Sequence, residues 1–247
     1  MIRLTVLMLV LGVALPAVPA FAADDTVREL VSHCVGCRLP HDLHGRDLHG
    51  VRFVGADLDD VDLTRANLRD VEFVGASLRK TRFDGADLHG ARFVGVRFDG
   101  TSFAGAQLDG VSVTGANLSE GGVTGVDAAR LLRNCVGCNL RDAAFPRADL
   151  RNAKLVGSNL RGANLSAANL RGADLRGVNF SSANLNDADL SNAKLCSQED
   201  DGRVACANLH GASTSGTRFD GAQLCEQNDG PCRPLAPDEL TKYAGRV

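Results

Sequence analysis

Large apolar residues recur at every fifth position of this chain, without a break from Leu43 through Leu48, Phe53, Leu58, Leu63 and Leu68 to Val123. A second run of the same spacing goes from Leu140 through Phe145 and Leu150 to Leu195, and a short third one comprises Leu209, Thr214, Phe219 and Leu224. Two residues ahead of nearly every member stands a small residue, as at Ala56, Val61, Ala66, Ala163 and Ala168. Five residues advance an α-helix by about 500°, so these side chains would spiral around all sides of a helix. On a flat strand the odd spacing would send them to alternate faces. A chain that turns a corner after each five-residue side can point every one of them inward. The small residue then fits the corner, the large one fills the middle of the side, and the other positions face water.

The pattern repeats on a longer scale. Val51-Arg52-Phe53-Val54-Gly55-Ala56 aligns, at twenty-residue steps, with Val71-Glu72-Phe73-Val74-Gly75-Ala76 and Ala91-Arg92-Phe93-Val94-Gly95-Val96. Four units therefore make one square coil. Phe53, Phe73 and Phe93 are expected to stack along one face, and Phe83 over Phe103 along another, since each coil of a solenoid touches only its neighbours. Units such as Gly55-Ala56-Asp57-Leu58, Arg65-Ala66-Asn67-Leu68 and Arg161-Gly162-Ala163-Asn164-Leu165 resemble the Ala-Asp/Asn-Leu-x-x motif of the pentapeptide-repeat family. The resemblance covers roughly residues 39–225. It implies an all-β fold, the right-handed quadrilateral β-helix of that family.

The phase breaks between Val123 and Leu140, and the intervening stretch repeats an earlier one. Leu30-Val31-Ser32-His33-Cys34-Val35-Gly36-Cys37-Arg38-Leu39 matches Leu131-Leu132-Arg133-Asn134-Cys135-Val136-Gly137-Cys138-Asn139-Leu140. Each copy reads as a short helical cap leading to the first inward leucine, so the expectation is two stacked or tandem rods, each opened by a cap; a continuous rod with an inserted helix is the alternative. A cap matters because an open coil end is an unpaired sheet edge. The resulting division is 1–22 signal peptide, 23–126 first capped β-helix, 127–225 second capped β-helix, and 226–247 a disulfide loop with a short helical tail.

The first segment is a basic start at Arg3, an apolar run from Leu4 to Leu15, and Ala20-Phe21-Ala22 as a small-x-small cleavage site. That is the pattern of a secretory signal, too short for a membrane span, and it predicts a periplasmic or secreted protein. The formal net charge of −3 over 247 residues gives no sign of a nucleic-acid or acidic-membrane partner. With no Trp and one Tyr, the chain is also poor in the side chains that dominate ligand pockets and binding hot spots.

Eight cysteines in an exported chain suggest disulfides. Spacing favours the local pairs Cys34–Cys37, Cys135–Cys138, Cys196–Cys206 and Cys225–Cys232, the last two enclosing the turn signals Asp201-Gly202 and Asp229-Gly230. Cys34, Cys37, His41 and His44 form a rival zinc set, but the duplicate Cys-x-x-Cys has no matching histidines. Gly121–Asp127 loosely resembles a calcium-binding nonapeptide, but its spacing is off and it occurs once; the acidic Glu199-Asp200-Asp201 is better read as a solvated turn than as a weak calcium site. No catalytic triad or paired-carboxylate motif is present, and no catalytic, cofactor-binding or metal residue is assigned. One surface pattern remains. Arg141 with Arg161 and Arg151 with Arg171 are each twenty apart, which predicts two arginine ladders on opposite faces, either a contact surface for an anionic partner or a solvated face balanced by Asp142, Asp149 and Asp174.

The functional expectation is a non-enzymatic exported binding or structural module that presents flat faces to an unknown protein or envelope polymer, without a cofactor. The alternative comes from the resemblance: cytoplasmic members of that family imitate duplex DNA and bind gyrase. The signal peptide and the weak charge speak against it.

Overall fold

The computed structural model describes residues 34–119, 128–198, 202, 204–226, 231–236 and 239. The signal segment 1–22, the first helical lead-in over 30–33, Val123, the 121–127 and 199–201 motifs, Asp229-Gly230 and the tail from 240 lie outside them.

Each twenty-residue coil is a square whose sides are centred, in the layer that starts at Val51, on Phe53, Leu58, Leu63 and Leu68, all fully buried. We call these sides one to four. Successive coils are joined by parallel pairing at a step of twenty residues, for example Leu58 N–H to Ser77 O at 2.9 Å and Ser77 N–H to Ala56 O at 3.0 Å. On side one the pairing lengthens into strands β1 (Arg52–Val54), β2 (Glu72–Val74), β3 (Arg92–Val94) and β4 (Ser112–Thr114). Phe53 pairs with Phe73 and Phe73 with Phe93, as the twenty-residue alignment requires. Their rings stack at 5.1 and 5.0 Å, and Phe83 stacks on Phe103 at 5.0 Å. Phe98 fills the gap between the two stacks edge-on, 5.1 Å from Phe93 and 5.7 Å from Phe103.

The small residues do more than fit corners. Ala56, Val61, Ala66 and Val71 are buried beside the large ones, so every side sends two residues inward. Where the small residue carries a hydroxyl, it bonds a carbonyl of the preceding layer: Thr81 Oγ1 to Leu58 O at 2.8 Å, Thr101 Oγ1 to Leu78 O at 2.6 Å, and Ser158 Oγ to Cys135 O at 2.8 Å. This satisfies a polar group that burial would otherwise penalise.

The two repeat blocks are stacked one on the other. β4 bonds to β5 (Cys135–Val136), which makes one five-stranded parallel ladder, and Asn117 bridges to Asn139. The step at this junction is 22 residues, Val113 lying opposite Cys135. The longer layer holds the helical turn α1 (Ala128–Leu131), through which Leu131 and Leu132 are buried. A second irregularity lies near the end. At Cys196 the chain leaves the coil as an antiparallel hairpin, β6 (Lys194–Gln198) with β7 (Val204–Cys206), and Ala207 N–H rejoins Leu195 O at 2.8 Å. Layers on either side of it are therefore 29 residues apart, as with Asn179 and Asn208. β8 (Gln223–Glu226) then pairs in parallel with β6, and β9 (Cys232–Pro234) folds back antiparallel on β8. β9 covers the ladder's last edge with a short strand ending in proline, which discourages further pairing. Near this end the inward set is less well covered, Thr214 and Phe219 being only half-buried.

Candidate functional surfaces

Most polar side chains of the repeat build the turns. Where an Asp or Asn stands just before the inward residue, its side chain commonly accepts the backbone N–H two residues on, as Asp62 does from Thr64 at 2.9 Å, Asn164 from Ser166 at 3.1 Å and Asn184 from Asn186 at 3.1 Å. This Asx turn leads into a four-residue turn closed, for example, by Val61 N–H to Leu58 O at 3.1 Å, with Asp60 at φ +59°. The Asx residue is thus a third recurring feature of the unit, after the large and the small inward residues, although Ser77, Gln107, Lys154 and Lys194 take its place before inward leucines. Its signal was present in the sequence as Asp/Asn-Leu. Carboxylates in the turns also bridge layers: Asp59 Oδ1 accepts Ser77 Oγ at 2.6 Å and Arg79 N–H at 2.9 Å, and Asp84 takes the same role toward Ser102 and Ala104.

The cysteine pairs bonded in the structure are Cys34–Cys37, Cys135–Cys138, Cys196–Cys206 and Cys225–Cys232, with Cα separations of 5.6, 5.7, 3.9 and 4.0 Å. Cys-Val-Gly-Cys does not precede the first repeat unit. It is itself a unit. Cys135 takes the central inward place opposite Val113, and Cys138 the small inward place; both are buried. Val35 likewise bridges to Val54, which puts Cys34 in the Phe53 column. Both pairs therefore lie on side one, five layers apart. His41 turns Nδ1 toward Asp60 O at 3.4 Å.

The four arginines fall into the two expected columns. Asp142 N–H bonds Arg161 O, setting Arg141 under Arg161 on side two, and Asn152 N–H bonds Arg171 O, setting Arg151 under Arg171 on side four. Two of the four have close carboxylates. Arg151 grips Asp149 with Nε at 2.8 Å and Nη2 at 2.7 Å, which holds that carboxyl down to about 2. Arg141 Nε reaches Asp142 at 3.1 Å. Two shallow hollows share Arg151 and Asn152. One, of about 350 Å³, runs up to Arg171, Gly172 and Asn192; the other, of about 310 Å³, runs to Arg133 and Asp149. Asp174 does not balance the ladders. It forms its own pair with Arg176, Nη2 at 2.6 Å, and both side chains are largely buried at 11 and 14 % exposure.

A parallel β-solenoid with four five-residue sides, inward large and small residues, and Asx-braced turns defines a class of scaffold whose polar repeat positions serve its own construction. A family model described as pentapeptide repeats (8 copies) matches residues 134–172 and 158–196, and one described as a pentapeptide repeat region matches residues 46–121. The chain belongs to the pentapeptide-repeat family. Among solved structures it is similar to trypsin-treated QnrB1, a plasmid-mediated fluoroquinolone resistance protein, at 21% identity over 73% of this chain and 88% of that one, with a TM-score of 0.32. HetL, a pentapeptide repeat protein involved in heterocyst differentiation regulation from the cyanobacterium Nostoc, gives 27% identity over 78% of this chain and 77% of its own, with a TM-score of 0.32. A pentapeptide repeat protein from the Arabidopsis thaliana thylakoid lumen gives 23% identity over 64% and 72%, with a TM-score of 0.28. No curated protein matches the sequence.

Proposed function

We propose that the protein is an exported, non-enzymatic binding or structural module whose long flat faces meet a protein or polymer of the cell envelope. The observation that carries this reading is the arrangement of outward side chains in straight axial columns that differ from face to face. Such columns suit recognition of an extended or flat partner by position along the rod. Export is supported by the cysteine usage, since four disulfides and no free cysteine among the described residues fit an oxidising compartment. It agrees with the signal pattern of residues 1–22. The division into 23–126 and 127–225 is proposed as two repeat blocks joined at α1, and the Arg151–Arg171 column as an anion-facing contact on side four. The test is fractionation of cells making a C-terminally tagged chain, followed by crosslinking and capture from the envelope fraction. Expected is a protein beginning near Ala23 in the envelope or medium, with a reproducible crosslinked partner. Full-length protein confined to the cytosol would overturn the reading.

A further inference from the structure

Among the outward positions of the repeat, one column stands apart. On the other three sides the residue following the central inward one is polar or charged, Pro40, Ala104 and Pro146 excepted: Asp59, Thr64 and Arg69 in one layer, Arg79, Asp84 and His89 in the next. On side one the same position is Val54 and Val74. It remains valine at Val35, Val94, Val136 and Val156, is threonine at Thr114, and gives way to Arg176 and Cys196 after Leu175 and Leu195, so the valine column spans the first seven layers. Val54, Val74, Val94, Val136 and Val156 are half-buried, each with part of its side chain open to solvent, and Val35 is 76 % exposed. Strand propensity alone does not account for them, because threonine is β-branched too and is accepted in β4 at Thr114. Solvent would favour threonine throughout. Valine in all but one of these layers is what a covered surface calls for.

The neighbouring column is glycine: Gly36, Gly55, Gly75, Gly95, Gly115, Gly137 and Gly157, all at φ near +60°. A methyl group added at Gly75, Gly95, Gly115 or Gly157 would meet nothing within 4 Å. A valine ridge therefore runs beside an open glycine groove, both parallel to the rod axis. Six layer steps of ~4.8 Å make the pair about 29 Å long. Polar columns bound it on both flanks. On one, Arg52 and Arg92 both hold Glu72, at 2.8 and 3.7 Å; on the other stand Asp57, Ser77 and Arg97. Apolar centre and polar rim are the anatomy of a protein–protein contact.

The geometry points to a second copy of this chain as the occupant. A two-fold axis parallel to the rod would lay each ridge in the other copy's groove. The two copies share one layer spacing, so every valine would meet its glycine in register, a match that a partner lacking this repeat would lose within a few layers. We infer that side one is a lateral self-association face, an isologous contact in which Val54, Val74 and Val94 of one copy pack on Gly55, Gly75 and Gly95 of the other. A strip about 29 Å long and ~10–15 Å wide offers roughly 290–440 Å² per copy, below the ~800 Å² of a standard stable interface. The dimer is therefore weak and concentration-dependent. This inference does not rest on the envelope partner proposed above; either can fail alone.

The test is sedimentation velocity of the mature, disulfide-intact protein over about 1–200 μM, a range that brackets micromolar association. Expected is a monomer–dimer equilibrium. The triple variant Val54→Thr/Val74→Thr/Val94→Thr, which keeps β-branching, should weaken it more than about tenfold with an unchanged melting curve. Val74→Lys should abolish it, and Arg79→Ser on side two should leave it alone. A monomer at every concentration, or a dimer indifferent to the threonine and lysine variants, would overturn the assignment.

Discussion

Replacing Phe73 by alanine probes the column on which the coil assignment rests. Its ring is sandwiched between Phe53 at 5.1 Å and Phe93 at 5.0 Å, with Phe83 edge-on at 5.9 Å, and it is fully buried. Removing a fully buried phenylalanine costs about 3–5 kcal/mol where the surroundings cannot collapse. Here they cannot, because both neighbouring rings are tied to their own layers by backbone bonds one coil apart. Phe73→Leu should cost much less, about 1–1.5 kcal/mol, since Leu155, Leu175 and Leu195 fill the same column in the second block and are fully buried there. Phe219, half-buried near the chain's C-terminal end, makes the control: Phe219→Ala should cost no more than about 1–2 kcal/mol, because less surface returns to water. Urea unfolding followed by circular dichroism, with the disulfides intact, measures all three. A Phe73→Ala cost below about 1.5 kcal/mol, or one equal to that of Phe219→Ala, would mean that the stack is not load-carrying and the layer energetics are wrong.

Two further outcomes are expected. Carbon-detected NMR titration should place the Asp149 midpoint near 2, and Arg151→Ala should return it toward the ordinary ~3.9. With the folded value depressed, whatever the pair adds to stability is complete above ~3.9 and fades as pH falls toward 2, and because both side chains are substantially exposed that contribution is small. Second, mild reduction with alkylation of the native protein should label Cys37, which is partly exposed, while Cys135 and Cys138 react only on unfolding. Equal labelling of both pairs would contradict the buried placement of the second.

Much of the core was readable because phenylalanine and leucine mark the inward places so consistently; Phe53, Phe73 and Phe93 stack where the alignment put them. What escaped notice did so for physical reasons. Cys34 and Cys135 sit five residues before Leu39 and Leu140, Cys135 in phase with its run and Cys34 one residue out of phase with the run from Leu43, and cysteine reads as a crosslink before it reads as core. The Asx residues looked like solvated surface because their bonds go to their own backbone, which spacing alone does not display. Asp174 looked available to the arginine ladders until its burial with Arg176 was seen. The nine extra residues between Leu195 and Leu209 carried turn signals, yet only the return of Ala207 to Leu195 shows that the layer order survives them.

That survival has a wider meaning. Layers are joined at steps of 19, 20, 22 and 29 residues with the same parallel bridges above and below. The molecule keeps count in space and not along the chain. A corner is therefore a port: a helical turn or a disulfide-locked hairpin can be spliced in there and the rod closes over the splice at no cost in alignment. Growth by whole coils changes the length of such a rod, whereas growth at a port changes what it carries at a fixed height. The two can be altered independently, which makes the scaffold a ruler on which new loops can be mounted at chosen marks.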